Sequence, residues 1–174
     1  MTHAAHSVTL SVNGQKFEAN VPSRLLLSDL LRDQLGFTGT HVGCGTGACG
    51  SCTVLLDGEP VRSCLMLAVQ ADGARIETIE SVGTPERLHP IQEAFHVHHA
   101  LQCGFCTPGI VMSAVALFRA TPHPDEREIM TMLEGHLCRC TGYRTMVEAL
   151  GSVAAVKVDP GTAEPSIPEP GTEH

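Results

Sequence analysis

Tryptophan is absent from this chain of 174 residues, tyrosine occurs once, and aromatic residues make up only 3%. With 43% hydrophobic residues, whatever cores form must therefore be aliphatic. Cations are also scarce: 11 Lys and Arg stand against 19 Asp and Glu, a formal charge of −8. That balance argues against a nucleic-acid partner, which would want a basic patch. No apolar run approaches the length of a membrane span. The start, Met1-Thr2-His3-Ala4-Ala5-His6-Ser7, has neither a basic n-region nor an apolar h-region. The expected compartment is the cytoplasm. No Ser-His-Asp set, no phosphate-cradling Gly-Lys-Ser/Thr loop and no hydrolase-like pair of carboxylates is found, so the chain is expected to hold no substrate-transforming residue. What it does have is cysteine, eight of them. In a cytosolic chain these are expected to be metal ligands or redox groups, not disulfide staples.

Cys44, Cys49, Cys52 and Cys64 carry the first strong signal. The first three follow C-x4-C-x2-C spacing in the glycine-rich stretch Gly43 to Cys52, and the fourth comes twelve positions later. This is the plant-type ligand pattern of a [2Fe–2S] cluster. Four thiolates converging on two irons force tight turns that glycine adopts without steric cost. Backbone N–H groups freed by glycine can then point at the sulfurs. Zinc sites favour two short C-x2–4-C pairs, which this stretch does not form.

Around that loop, Val8–Val12 and Gln15–Val21 read as strands joined at Asn13-Gly14, the strongest short hairpin signal. Ser23 is a candidate N-cap for a helix whose stripe is Leu25, Leu26, Leu30, Leu31 and Leu35, stopped by Gly36. Thr53–Leu56 and Arg75–Ile79 read as strands, with a turn at Asp57-Gly58. Residues 81–90 read as a linker, because Gly, Thr, Pro and charge replace the apolar pattern. Four helices are expected beyond it: from His89 or Pro90 to Leu101, from Pro108 to about Ala120, from Asp125 to roughly Glu134, and from Arg144 to Val158. The proline-rich tail 159–174 is expected to be extended or disordered. Two further cysteine pairs, Cys103-x-x-Cys106 and Cys138-x-Cys140, lie at the ends of these helices. They could form a redox dithiol, a structural zinc site or a second [2Fe–2S] cluster. No βαβ pattern supports the dithiol. The C-x-C pair is unusual for zinc, so a second cluster is the preferred reading.

The phrases Gln102-Cys103-Gly104-Phe105-Cys106-Thr107-Pro108-Gly109 and Cys138-Arg139-Cys140-Thr141-Gly142-Tyr143, taken with the first loop, carry a family resemblance. Over about residues 7–157 the chain resembles the iron–sulfur subunit of the xanthine oxidase family of molybdenum hydroxylases. Its length is similar to the small subunits of split bacterial members, such as aerobic carbon monoxide dehydrogenase and N-heterocycle hydroxylases. The resemblance implies an α+β chain: a plant-type ferredoxin β-grasp over residues 1–80, then a four-helix bundle over 91–158. It implies that Cys44, Cys49, Cys52 and Cys64 bind the cluster nearer the flavin. Cys103, Cys106, Cys138 and Cys140 would bind the cluster nearer molybdenum, with Gln102 and Cys140 approaching the pterin. Partners would be a large subunit holding molybdopterin, as the cytosine dinucleotide in bacteria, and a medium subunit holding FAD, assembled as a dimer of heterotrimers. Electrons would pass from molybdenum through both clusters to the flavin.

Three positions depart from the family pattern: His41 for Lys, Ser51 for Ala and His136 for Asn. None removes a ligand, and the Ser51 hydroxyl could raise the first cluster's potential by approaching a sulfur. His96-Val97-His98-His99 resembles a metal tract, but His96 and His99 are expected on one solvated or interface face of a helix and His98 on another. Met130, Met132 and Met146 read as core or subunit contacts. Two other functions compete: a free-standing two-cluster carrier and a structural zinc-binding module. Iron and sulfide analysis separates zinc from the rest.

Overall fold

The computed structural model describes residues 5–155. The tail 159–174 and the last turn expected of the final helix lie outside those residues. Strands β1 (Ala5–Val12) and β2 (Gln15–Pro22) form the expected hairpin. Asn13 and Gly14 both take positive φ, at 53° and 81°, as a two-residue turn matched to strand twist requires. Val8, Leu10 and Val12 alternate inward along β1.

Strands β3 (Thr53–Leu56), β4 (Glu59–Arg62) and β5 (Arg75–Glu77) complete a mixed sheet of order β2-β1-β5-β3-β4. Only the β1–β5 pair is parallel. The chain is thus α+β, with a sheet consistent with a [2Fe–2S] ferredoxin-like fold. The sequence reading missed β4. Pro60 argues against a strand, and the ladder tolerates it because β4 lies at the sheet edge.

The leucine stripe covers one face of the sheet. A short helix, α1 (Leu27–Asp29), runs on as a π-turn through Gln34, burying Leu27, Leu30 and Leu31. Gly36, at φ 80°, ends it as expected. Ser23 is not its N-cap. Residues 25–27 instead bridge 66–68 backbone to backbone: Leu27 N–H donates to Met66 (2.8 Å) and Ala68 N–H to Leu25 (2.8 Å). The Leu27 N–H is satisfied by that bridge and the Asp29 N–H by the Leu26 carbonyl at 3.2 Å, without a side-chain cap.

Four helices follow: α2 (Pro90–Val97), α3 (Thr107–Ala120), α4 (Glu126–Glu134) and α5 (Arg144–Ala155). Helix α2 ends four residues before the expected Leu101. His99 adopts φ 50°, Ala100 N–H returns to Phe95 (2.9 Å) and His99 N–H to His96 (3.2 Å). This is a Schellman stop with histidine where glycine is usual. His96 and His99 therefore share no helical face, which corrects the reading of the histidine tract.

Helix α3 is buried on all sides from Gly109 to Val115 and packs on β3. The strand Thr53-Val54-Leu55-Leu56 is consequently covered on both faces. Val54 belongs to the core under α1, and its neighbour Leu55 to the core built on α3. A strand buried on two sides needs no polar alternation, and this one shows none.

Candidate metal centres

Residues 41–52 run without regular structure between α1 and β3. Gly50 shows why glycine is needed there. Its φ is 77°, and a Cβ would lie 2.3 Å from His136 Nδ1 and 2.8 Å from the Gly135 carbonyl. The loop is open enough for two N–H groups, of Thr46 and Cys49, to donate to Cys44 Sγ at 3.3 and 3.4 Å. Those bonds, the Thr46 ones foremost, bring the Cys44 thiol down to about 6. Cys64 is pushed up to about 11 by burial and by its contact with Cys52. Cys44 and Cys49 interact side chain to side chain, as do Cys52 and Cys64, and Cys64 also feels Cys44. The structure thus brings these four thiols together.

The second four converge as well. Cys106 sits at the N-terminus of α3 and meets Cys138, while Cys103 meets Cys140. Burial, then contact with Cys138, pushes the Cys106 thiol up to about 12. At Cys138 burial acts upward, but the Thr141 hydroxyl and N–H and the Cys140 N–H outweigh it and lower the thiol. Thr141 Oγ1 lies 3.1 Å from Cys138 Sγ. None of the eight cysteines is joined in a disulfide.

A tetrahedral zinc site would need four ligands around one metal. A two-iron cluster takes two ligands on each iron, and sulfurs gathered in pairs fit that group. The two quartets differ in exposure. Cys52 and Cys64 are buried, whereas Cys103, Cys140 and the adjacent Gln102 are exposed.

The two cysteine loops touch directly. Leu137 N–H donates to the Cys49 carbonyl at 2.9 Å, one residue before Cys138. His41 Nδ1 donates to the Phe105 carbonyl at 2.8 Å, and the two rings stack at 4.8 Å. Gly109 lets α3 approach so closely that a Cβ there would sit 2.2 Å from the Gly50 carbonyl oxygen. His136 is buried between the loops with Nε2 2.8 Å from Ser113 Oγ. Burial, then the charge of Arg62, holds its imidazole down at about 4. Ser51 is buried in the same neighbourhood as the Cys49 sulfur: both lie within 3.8 Å of where a Gly43 Cβ would be.

Comparison with known proteins matches residues 10–78 to the 2Fe-2S iron-sulfur cluster binding domain and residues 78–151 to the [2Fe-2S] binding domain. The gamma subunit of caffeine dehydrogenase from Pseudomonas sp. (strain CBB1) is 51% identical over 87% of this chain and 92% of that subunit. This chain is an iron–sulfur subunit of the xanthine oxidase family. The small subunit of nicotine 6-hydroxylase from Paenarthrobacter nicotinovorans is 50% identical over 82% of this chain and 86% of that one. A crystal structure of quinoline 2-oxidoreductase from Pseudomonas putida 86 contains a chain that superposes with a TM-score of 0.83. It is 45% identical, over 87% of this chain and 94% of that chain. The iron–sulfur subunit therefore belongs to an oxidoreductase of the molybdenum hydroxylase type.

Sequence reasoning missed Arg62, His41 and His136, which lie between the two loops, and Tyr143, which closes the second loop on itself. For the two histidines the only signal was departure from the family pattern, and nothing in the sequence said what they touch.

Proposed function

We propose that this subunit relays electrons one at a time from a molybdopterin centre to FAD, within a dimer of heterotrimers. The large subunit carries the molybdopterin, as its cytosine dinucleotide, and also the substrate selectivity; the medium subunit carries FAD. Residues up to 80 act as a β-grasp module and those from 91 as a four-helix bundle, joined through 81–90. The compartment is the cytoplasm, in keeping with the absence, among the described residues, of a helix long and apolar enough to cross a membrane.

The observation that carries this reading is the direct contact of the two cysteine-bearing loops, the first quartet with Cys52 and Cys64 buried and the second with Cys103 and Cys140 at the surface beside Gln102. A [2Fe–2S] cluster, when bound, takes up and gives back one electron. Cys44 with Cys49 and Cys52 with Cys64 would hold the first. Cys103 with Cys140 and Cys106 with Cys138 would hold the second. The Thr46 and Cys49 N–H groups stabilise charge on the Cys44 sulfur, and burial of Cys52 and Cys64 keeps water away from that side. Gln102 and Cys140 lie where a pterin on the large subunit could approach, with Leu101 and Phe105 exposed beside them.

Gln102→Ala tests the reading. In the assembled enzyme it should slow reduction of the clusters by substrate while both clusters remain in place by iron content. Unchanged reduction kinetics would remove Gln102 from the electron path.

A further inference from the structure

Arg62 is the last residue of β4, two positions before Cys64, and is half-buried. Its Nη1 donates to the Thr53 hydroxyl and its Nη2 to the Gly135 carbonyl at 2.6 Å. The Thr53 hydroxyl in turn donates to the Gly50 carbonyl at 2.6 Å. Gly50 lies between Cys49 and Cys52, and Gly135 caps α4 three residues before Cys138. One guanidinium therefore links the two cysteine-bearing loops. Its planar fork can reach two acceptors in different directions, which a lysine ammonium on a flexible stem cannot do in the same geometry. Among the described residues no carboxylate lies within ion-pair distance of it. Its charge is cancelled only partially, by the negative end of α4.

We propose that Arg62 is a positioning residue of the relay, and that its charge raises the reduction potential of the site formed by Cys44, Cys49, Cys52 and Cys64. The inference rests on reading those cysteines as the holders of a [2Fe–2S] cluster. Each electron taken up adds one negative charge to a site whose thiolates are already anionic. A fixed cation nearby offsets that charge, more strongly where water is partly excluded. Arginine stays protonated throughout, so no proton accompanies the electron at this residue. The effect falls foremost on the first site, because Arg62 is tied into its loop through Thr53 and Gly50 and precedes Cys64 by two residues.

The test is a redox titration of the assembled complex, followed by the paramagnetic signals of the reduced clusters. The first cluster's signal is identified by its loss in Cys64→Ser. Iron and sulfide are counted first; wild-type complex without two clusters would defeat the cluster reading itself, independently of Arg62. Arg62→Gln should lower the midpoint potential of the first signal, and Arg62→Lys should keep most of the wild-type value. No shift in Arg62→Gln overturns the proposal. An equal fall in Arg62→Gln and Arg62→Lys also overturns it, assigning the effect to packing. Should Arg62→Gln fail to assemble, Thr53→Val decides, since it removes one acceptor and leaves the cation. A potential kept close to that of wild type or Arg62→Lys supports the charge, and a fall well below that of Arg62→Lys, with the cation still in place, contradicts it.

Discussion

The single tyrosine closes the loop that carries Cys138 and Cys140. Tyr143 Oη accepts from the Cys138 N–H at 2.7 Å and donates to the His136 carbonyl at 3.0 Å. Tyr143→Phe would strand both backbone groups, at a cost of about 1–3 kcal/mol. Faster loss of iron from the second cluster to a chelator is the expected outcome, with the first cluster unaffected; equal loss from both would show that the loop does not depend on this hydroxyl. Two glycines make a second contrast. Gly109→Ala forces a Cβ against the Gly50 carbonyl and should cost roughly 1–3 kcal/mol or prevent assembly. Gly151→Ala meets nothing within 4 Å inside α5 and should stabilise by about 0.5–1 kcal/mol. Thermal unfolding of the two variants checks both signs. The Cys-rich phrases were readable in the sequence because ligand spacing is local. The tyrosine's role was not, since its two partners are backbone groups that only the folded loop brings within reach.

Helix ends show what a sequence reveals at the level of elements. Asp125 and Glu128 form a reciprocal capping box on α4, both bonds 2.8 Å, and the residue types alone announce it. At α2 the cap is His89, whose Nδ1 accepts from the Ile91 N–H at 3.2 Å while Gln92 returns a bond to the His89 N–H at 2.9 Å. Histidine is not among the usual N-cap types, yet Pro90 marks the start of α2 by residue type; the stop at His99 lacks the usual glycine, so only that end escaped the sequence. The unusual cap has a consequence for pH. Burial, then the charge of Arg119, lowers the His89 pKa. A group depressed in the folded state contributes stability above its unfolded pKa, near 6.5 for histidine, and loses it as pH falls through the folded value. His136 acts in the same direction. The apparent melting temperature of the loaded protein should therefore fall from about pH 7 towards about pH 5. Asn at position 89 caps without titrating, so His89→Asn should flatten part of that fall. A slope identical to wild type would contradict the role given to His89.

At the scale of the whole molecule, the two halves meet along a seam made of residues far apart in the chain. Cys49 meets Leu137, His41 meets Phe105, and Arg62 meets Gly135. Arg119 adds a bidentate pair with Glu77 at 2.9 and 2.8 Å, joining α3 to β5. Spacing within each cysteine motif indicated two metal groups; it could not indicate that the two loops touch, because these contacts depend on how α3 packs across β3. That adjacency is what makes a relay physically reasonable for this iron–sulfur subunit. The most direct test is the metal and sulfide content of anaerobically purified protein, read together with its paramagnetic signals after reduction. The account predicts about four iron and four acid-labile sulfide per chain, with two distinct [2Fe–2S] signals. Zinc without sulfide, or a single signal from fully loaded protein, would contradict it.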